Sequence, residues 1–521
     1  MGSIIFQPSV TASIAAARLA VANTPQRVLI CGQSFSTGSA LDKAWTQNIG
    51  NGGEESTLFG RASMIAEMIR AFKRIAPQVQ LDAIGVRDNG SGVKRIVGSQ
   101  WLGTSTAAAT VRFRIGSEKL HTIDVAIPSG TTAATAVATA AVLLNLDVEL
   151  PFDVTVVGTT VTFTAKHAGT VPNDLGIEIE GAIPGITLGS VTQSVAGSVD
   201  PTLTSLLDVV GETRYTAIVW AWPLATTVLT DFLEPRWNTV DQILDGVGFT
   251  AKADTFGGIT GVTQLGHADK NAKTLVYICD ELQAEAGYVG PAIHEASYTK
   301  AAMFAASRSL RLTTDAPLSQ FITTPAALDQ YGGPALASLP YFNTVFPHLP
   351  VPRNGRGFDR VSIEAIKNAG GTMFGQNPAR SAVIAGEVVS TYLTNGAGIP
   401  DLTFGNLEYI DTISQVREYM SNNLRARFAQ SRLTEGATVA GRDMANAGTI
   451  RSFLNKLYND LSGDGFVLVQ GGDEAVAFFD DHLSIVLDLS LGKATITMDV
   501  PIVTQLRQIV ATITVAFSTA G

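Results

Sequence analysis

The chain has 521 residues, 45% hydrophobic and only 16% charged, with a formal net charge of −10. Single cores stop growing near about 250 to 300 residues, so this length implies about three domains plus peripheral segments. The acidic balance excludes a phosphate-neutralising surface, and so a nucleic-acid binder.

A charged fraction below the globular average of about 25% leaves much of the surface poorly charged. Such a surface suits either a membrane or a large interface with further copies. The two most suspicious uncharged runs, Val125 to Leu146 and Ala182 to Val199, are rich in Thr, Ser and Gly and contain Pro128 and Pro184. Neither reads as an apolar span of about 20 residues, so the interface is expected and direct membrane insertion is not. Cys31 and Cys279 sit inside apolar runs and read as buried reduced thiols. The N-terminal stretch has no basic region, Arg18 interrupts its Ala-rich segment, and Phe6 stands where a myristoylation signal needs Ser or Thr. Production and retention in a cytoplasm are expected.

In chain order, Phe6, Pro8, Val10, Ala12 and Ile14 alternate with polar residues, as a strand does. A strand at Arg27 to Cys31, an amphipathic helix at Ala62 to Ile75 and a strand at Gln80 to Val86 make a β-α-β start. From Trp101 to about Val199 the text is Thr/Val/Gly-rich. Strands are expected at Thr110 to Ile115, Thr122 to Ile127, Asp153 to Val157, Val161 to Ala165 and Gly176 to Glu180, with one Ala-rich helix at Thr132 to Leu146. Tyr215 to Trp222 and Lys273 to Cys279 are apolar runs suited to a buried parallel sheet, and Pro291 to Leu312 reads as a long helix with Ile293, Ala301, Phe304 and Ala305 inward.

Tyr341 to Gly357, with Pro347, Pro350 and Pro352, is a linker. Helices are expected near Val361 to Asn368, Ile413 to Leu433 and Thr449 to Leu461. Strands are expected at Ser381 to Tyr392, Phe466 to Gln470, Leu483 to Leu491 and Ala494 to Val500. At the end Ile513, Val515 and Phe517 alternate with Thr512, Thr514 and Ala516 as a last strand. Residues 1–22 and 507–521 are therefore terminal arms and 23–98 and 351–506 two parts of a core domain. Residues 99–200 form an inserted, mostly β domain and 201–350 an inserted α/β domain.

Sequence support for chemistry is thin. Gly492-Lys493 is followed by Ala494 and lacks the earlier glycine of a phosphate loop. Gly32-Gln33-Ser34-Phe35-Ser36 has the position of a nucleophile elbow, but Ser36 replaces its second glycine, so a strand-to-loop turn is the favoured reading. His294-Glu295 has Tyr298 where a zinc helix needs histidine. Gly266-His267-Ala268-Asp269 and Asp480-Asp481-His482 read as solvated loop and strand-edge charges rather than metal sites. No catalytic residue, cofactor or metal is expected. Arg417, Arg425, Arg427 and Arg432 on the Ile413 to Leu433 helix are either a solvated face or a basic strip for an acidic partner.

Arg27-Val-Leu-Ile-Cys-Gly, Thr57-Leu-Phe-Gly-Arg-Ala-Ser-Met-Ile-Ala-Glu-Met68, and Pro378-Ala-Arg-Ser-Ala-Val-Ile-Ala-Gly-Glu-Val-Val-Ser-Thr-Tyr392 leading to Asp411-Thr-Ile-Ser-Gln-Val-Arg-Glu-Tyr-Met420 together resemble the contractile tail sheath family of bacteriophages, particularly Mu-like sheaths, which are related to sheaths of contractile injection systems. The resemblance implies an α+β / α/β multidomain subunit whose tube-proximal core is built from both ends of the chain, with outer domains inserted between. It implies a helical homopolymer of stacked hexameric rings around a tail tube protein, with baseplate and tail-terminator partners, located in the virion tail and assembled in the host cytoplasm. Phe6, Val10, Ile14, Ile513, Val515 and Phe517 would then lie on arms that add strands to neighbouring subunits, and the four arginines would face the tube. The competing readings are an α/β nucleotide-binding enzyme, suggested by the β-α-β start, and a noncontractile polymeric virion component.

Overall fold

The computed structural model describes residues 26–237, 243–261, 265, 271–312, 341, 351–352, 357–376, 382–401, 403–437, 443–463 and 468–503. These fall into two compact units, the first ending at Ile410 and the second starting at Asp411. The mixed α/β, multidomain character read from the sequence is what the structure shows.

The first unit opens with β1 (Arg27–Gln33), β2 (Trp45–Thr46), α1 (Glu54–Phe59), α2 (Met64–Ile75) and β3 (Gln80–Val86). β1 and β3 are parallel, Val28 opposite Leu81 and Cys31 opposite Ile84. The predicted amphipathic helix is α2: Ser63 caps it by accepting from the Ala66 amide, and Ile65, Met68, Ile69, Phe72 and Ile75 are buried.

Next come β4 (Lys94–Gly103), β5 (Ala109–Gly116), β6 (Leu120–Ile127), α3 (Ala133–Asn145), β7 (Phe152–Val157), β8 (Thr160–Ala168), β9 (Ile177–Glu180), β10 (Ile186–Leu188) and β11 (Thr192–Val195). Then follow β12 (Ala217–Trp220), α4 (Thr227–Trp237), β13 (Val247–Asp254), α5 (Phe256–Thr260), β14 (Leu275–Glu285), β15 (Tyr288–Pro291), α6 (Ser297–Arg311), α7 (Arg360–Asn368), β16 (Gly371–Gln376) and β17 (Ala382–Ile384). β3, β1, β12, β13, β14 and β16 form a parallel block whose order reverses between β1 and β12. Through β15 and β9 this sheet continues into β5 and β6, reaching twelve strands. β10, β4, β8 and β7, with β11 on β4, make a separate five-stranded sheet, and Trp101, Phe113, Phe163 and Phe152 pack between the sheets.

Three predicted elements are corrected. Pro291 to Leu312 is not one helix: Tyr288–Pro291 pairs back onto Leu282–Glu285, and α6 starts only at Ser297, leaving Ile293 outside it. Ser381 to Tyr392 is a strand only at Ala382–Ile384, because Gly386 takes φ 101 and turns the chain out of the ladder. Ile413 to Leu433 is replaced by α8 (Leu407–Phe428), which starts earlier and stops before Leu433. α6 is buried along its whole length, Lys300, Arg308 and Arg311 included, and Lys300 is ion-paired to Asp280.

The second unit continues through β18 (Arg432–Leu433), β19 (Met444–Ala445), α9 (Ala447–Ser462), α10 (Asp473–Asp481), β20 (Ser484–Asp488) and β21 (Lys493–Thr497). Ile450, Leu454, Leu457, Tyr458, Leu461, Leu468, Val469, Phe479 and Leu483 form its core.

Candidate assembly interface

The reversal of strand order between β1 and β12 is where open α/β sheets take ligands, beyond the strands' carboxyl ends. Here protein fills that place. Gln33 is fully buried, and its Nε2 donates to Asp88 Oδ1 (2.8 Å) and to the Ala168 carbonyl (2.7 Å) at the end of β8. Trp220 and Trp222, equally buried, meet edge to face at 5.1 Å on the β12 side.

Ser34 is buried and its amide donates to the Val86 carbonyl (2.9 Å), as a strand-to-loop turn requires. The sequence offers no obvious histidine for it, yet the fold brings one close: His167 stacks on Phe35 at 4.2 Å. Both its nitrogens are committed. Nε2 accepts the Met64 amide at the start of α2 (3.1 Å), and Nδ1 lies 2.8 Å from Asp88. Burial works to raise the Asp88 pKa, but hydrogen bonds from His167, the Ala168 amide and Gln33 outweigh it and hold the carboxyl below its usual range. This Asp–His pair caps a helix and joins β8 to the loop after β3. A one-dimensional reading misses it because the partners lie 79 residues apart.

The remaining motifs are occupied likewise. His294 lies 3.2 Å from Glu178, and burial pushes the Glu295 carboxyl up to about 7. Asp480 accepts from Arg451 (2.9 Å) and Asn455 (2.8 Å), while His482 Nδ1 is 2.8 Å from the Phe478 carbonyl of its own helix. Residues 266–269 lie outside the described residues. Among the described residues no three His, Cys, Asp or Glu side chains gather as a metal site, and no helix is long and apolar enough to cross a membrane.

What the second unit presents instead is an unfinished sheet. β20 and β21 pair antiparallel, Ser484 opposite Thr497, Ile485 opposite Ile496, Val486 opposite Thr495 and Leu487 opposite Ala494. Asp488 Oδ1 accepts from Ser490 Oγ (2.6 Å) and from the Ser490 (3.0 Å) and Leu491 (3.1 Å) amides, and Gly492 at φ 62 completes the turn. One face carries the half-buried Ile485, Leu487, Ala494 and Ile496, while Val486, Thr495 and Thr497 are exposed on the other. Arg451 ties the hairpin's start to α9 through the Leu483 carbonyl (2.6 Å), and Tyr458 stacks on Phe479 at 4.5 Å beneath. Among the described residues no third strand joins either edge. An isolated two-stranded ribbon is marginal alone, and each free edge is a row of unpaired donors and acceptors.

The last described residues belong to the same unit as the hairpin. Ile502 bridges Val469, the Gln470 amide donates to the Pro501 carbonyl (2.8 Å), and Val503 donates to Leu468 (3.1 Å). Phe6, Val10, Ile14, Ile513, Val515 and Phe517 all lie outside the described residues.

The four arginines do not form one strip. At about 100° per residue, Arg425 and Arg427 stand about 80° to either side of Arg417 on α8, and Arg432 lies beyond the helix in β18. Arg425, Arg427 and Arg432 are exposed and Arg417 half-buried.

No protein-family model matches the chain. Over 449 residues it is 24% identical to the tail sheath protein of the Mu-like prophage FluMu of Haemophilus influenzae, covering 85% of this chain and 84% of that protein. Among solved structures, the sheath tail protein of Listeria innocua aligns over 94% of each chain at 11% identity, with a TM-score of 0.47. That of Desulfitobacterium hafniense covers 96% of this chain and all of its own at 11% identity and TM-score 0.43. The helical sheath of the anti-feeding prophage in its contracted state covers 98% of both at 8% identity and TM-score 0.45.

Proposed function

We propose that this homologue of a Mu-like prophage tail sheath protein is the structural subunit of a contractile tail sheath. It polymerises helically around a tail tube and drives that tube through a bacterial envelope. Likeness to one sheath protein along 85% of the chain carries the reading, and the open hairpin supplies a physical means of polymerising.

In this reading β20–β21 is the acceptor of the terminal arms. A strand from a neighbouring copy satisfies an edge's free N–H and C=O groups without sequence-specific contacts, and alternation sets its register. Ile513, Val515 and Phe517 then continue the apolar row of Ile485, Leu487 and Ile496, while Thr512 and Thr514 continue that of Thr495 and Thr497. Phe6, Val10 and Ile14 of the N-terminal arm serve a second edge by the same rule.

The tube-proximal domain is assembled from both ends of the chain, and the inserted regions face outward. Arg425 and Arg427 reach the tube from two sides of α8 rather than as a strip. Contraction gains interface area and uses neither nucleotide nor active site. Other partners are the tail tube, baseplate and tail-terminator proteins, in a virion tail assembled in the host cytoplasm.

Electron microscopy of the purified protein tests the proposal: hollow tubes or stacked rings are expected, and a strictly monomeric species at high concentration overturns it. A nucleotide-binding enzyme would instead gain about 2.7 kcal/mol from a ligand at about 100 times its dissociation constant.

A further inference from the structure

We propose that Asn51 is a site of spontaneous covalent modification: its side-chain amide is lost to the nitrogen of the following glycine, and the carboxylate that replaces it pairs with Lys73. The chain has four Asn-Gly pairs, at Asn51, Asn89, Asn354 and Asn395. Glycine has no side chain to hinder ring closure, so each pair invites the same reaction. The glycine nitrogen attacks the asparagine Cγ; a C–N bond forms, the Cγ–Nδ2 bond breaks, and ammonia leaves with the proton of the glycine amide. Water then opens the cyclic imide at either carbonyl, giving aspartate or isoaspartate.

The attack needs the side chain to swing onto the backbone, and two of the described pairs are held against it. Asn89 is half-buried; its Oδ1 accepts from the Ser91 amide (3.0 Å) and hydroxyl (2.9 Å), and its Nδ2 donates to the Asp200 carbonyl (3.3 Å). Asn395 is half-buried too; its Oδ1 accepts from the Ala397 (3.0 Å) and Ile399 (3.1 Å) amides, and its own carbonyl accepts the Gly398 amide (2.9 Å). Asn51 is exposed, and its side chain makes one hydrogen bond, from Nδ2 to the Pro77 carbonyl (3.1 Å). The Gly52 amide donates to no described group, and a Cβ on Gly52 or Gly53 would meet no atom within 4 Å. This loop has room to bring the Gly52 nitrogen to Cγ and to take up the extra main-chain carbon of isoaspartate. Asn354 lies outside the described residues.

Lys73 is the group that receives the new charge. With Asn51, Arg70 and Arg74 it lines one cavity of about 420 Å³, to which Glu55 and Glu118 also belong. Those two carboxylates are taken: Arg70 lies 2.8 Å from Glu118, 3.1 Å from Glu149 and 3.7 Å from Glu55, and Arg74 lies 3.8 Å from Glu118. Lys73 is half-buried and donates only to the Val79 (2.9 Å) and Pro77 (3.4 Å) carbonyls, and among the described residues no carboxylate pairs with it. Burial alone acts on its pKa, lowering it. The Pro77 carbonyl is the same one that holds Asn51 Nδ2, so a carboxylate at position 51 arises within reach of the ammonium and offers it a charged acceptor in place of a neutral one.

Peptide mass mapping of the full chain after incubation in mildly alkaline buffer tests the site, reading the mass gain of amide-to-acid exchange at each pair. Asn51 is expected to convert at close to its rate in urea-unfolded protein. Asn89 and Asn395, which react only through local opening, should convert at least about 10-fold more slowly folded than unfolded. Acetylation of the Lys73 amine tests the pairing: it should slow about 3- to 10-fold in N51D relative to the unchanged protein, because a paired amine stays protonated. An Asn51 protected by folding as strongly as Asn89 and Asn395 overturns the site, and equal acetylation of Lys73 in N51D and the unchanged protein overturns the pairing.

Discussion

β7 and the hairpin β20–β21 are both sheet margins, and the chain treats them in opposite ways. At β7, the outer strand of the five-stranded sheet, Asn145 Nδ2 donates to the Val154 carbonyl (2.7 Å) and its Oδ1 accepts the Val154 amide (3.1 Å). One side chain plugs the middle of the edge. At β20–β21 nothing among the described residues does the same. Edges are a hazard that folded chains close, and an edge that no described residue closes suits the partner strand proposed above. The first unit closes the β7 edge with its own side chain; we propose that other copies close the edges of the second.

The sharpest way to break this contrast is to remove what the open edges are proposed to receive. Deleting Met1–Ser13 or Ile509–Gly521 should leave circular dichroism and melting unchanged and abolish ordered tubes in electron micrographs. Unchanged tubes in both truncations would sink the arm proposal.

The packing of the first unit is tested in its interior. Lys300→Met strands the buried Asp280 carboxylate and should cost about 3 to 5 kcal/mol in denaturant unfolding, with Asp280→Asn in the same chain recovering most of it.

Glu67, buried against the Tyr298 hydroxyl (2.6 Å), adds a pH dependence. Burial raises its pKa from an ordinary 4.5 to about 8 against the lowering effects of Tyr298 and Arg70. The folded state therefore binds this proton more tightly than the unfolded chain. The stabilisation is fully present below about pH 4.5 and is lost as pH rises toward about 8. Unfolding measured across that window should fall with pH, and Glu67→Gln should flatten the slope; an unchanged slope removes Glu67 from the explanation.

The smallest effect concerns the plug. Asn145→Ala should cost about 1 to 2 kcal/mol and introduce concentration-dependent light scattering, as β7 becomes an edge like those of the hairpin.

Much of the fold was legible because its strands are simple. Gln80–Val86 has the bounds expected of it, and β5, β7 and β8 lie within a few residues of the text that announces them. β4 escaped notice because it begins Lys94-Arg95, which reads as surface. In the structure Arg95 is fully buried, donating to the Pro172 (3.1 Å) and Leu175 (2.6 Å) carbonyls and to Gln193 (2.8 Å). β15 was not read as a strand because its partner, the second half of β14, comes just before it without the periodicity of a buried strand, and its last residue, Pro291, reads as the start of the helix. The hairpin was half visible: its strands could be read, but an open edge is a property of pairing, which no single segment carries.

Hydrogen exchange on Ser484–Thr497, compared between assembled tubes and the monomeric arm deletions, tests strand addition most directly. If arms from other copies complete the sheet, the edge amides of β20 and β21 should exchange at least about 100-fold more slowly in tubes than in the deletions, with α9 and α10 unchanged. Equal exchange at those amides in tubes and deletions would contradict it.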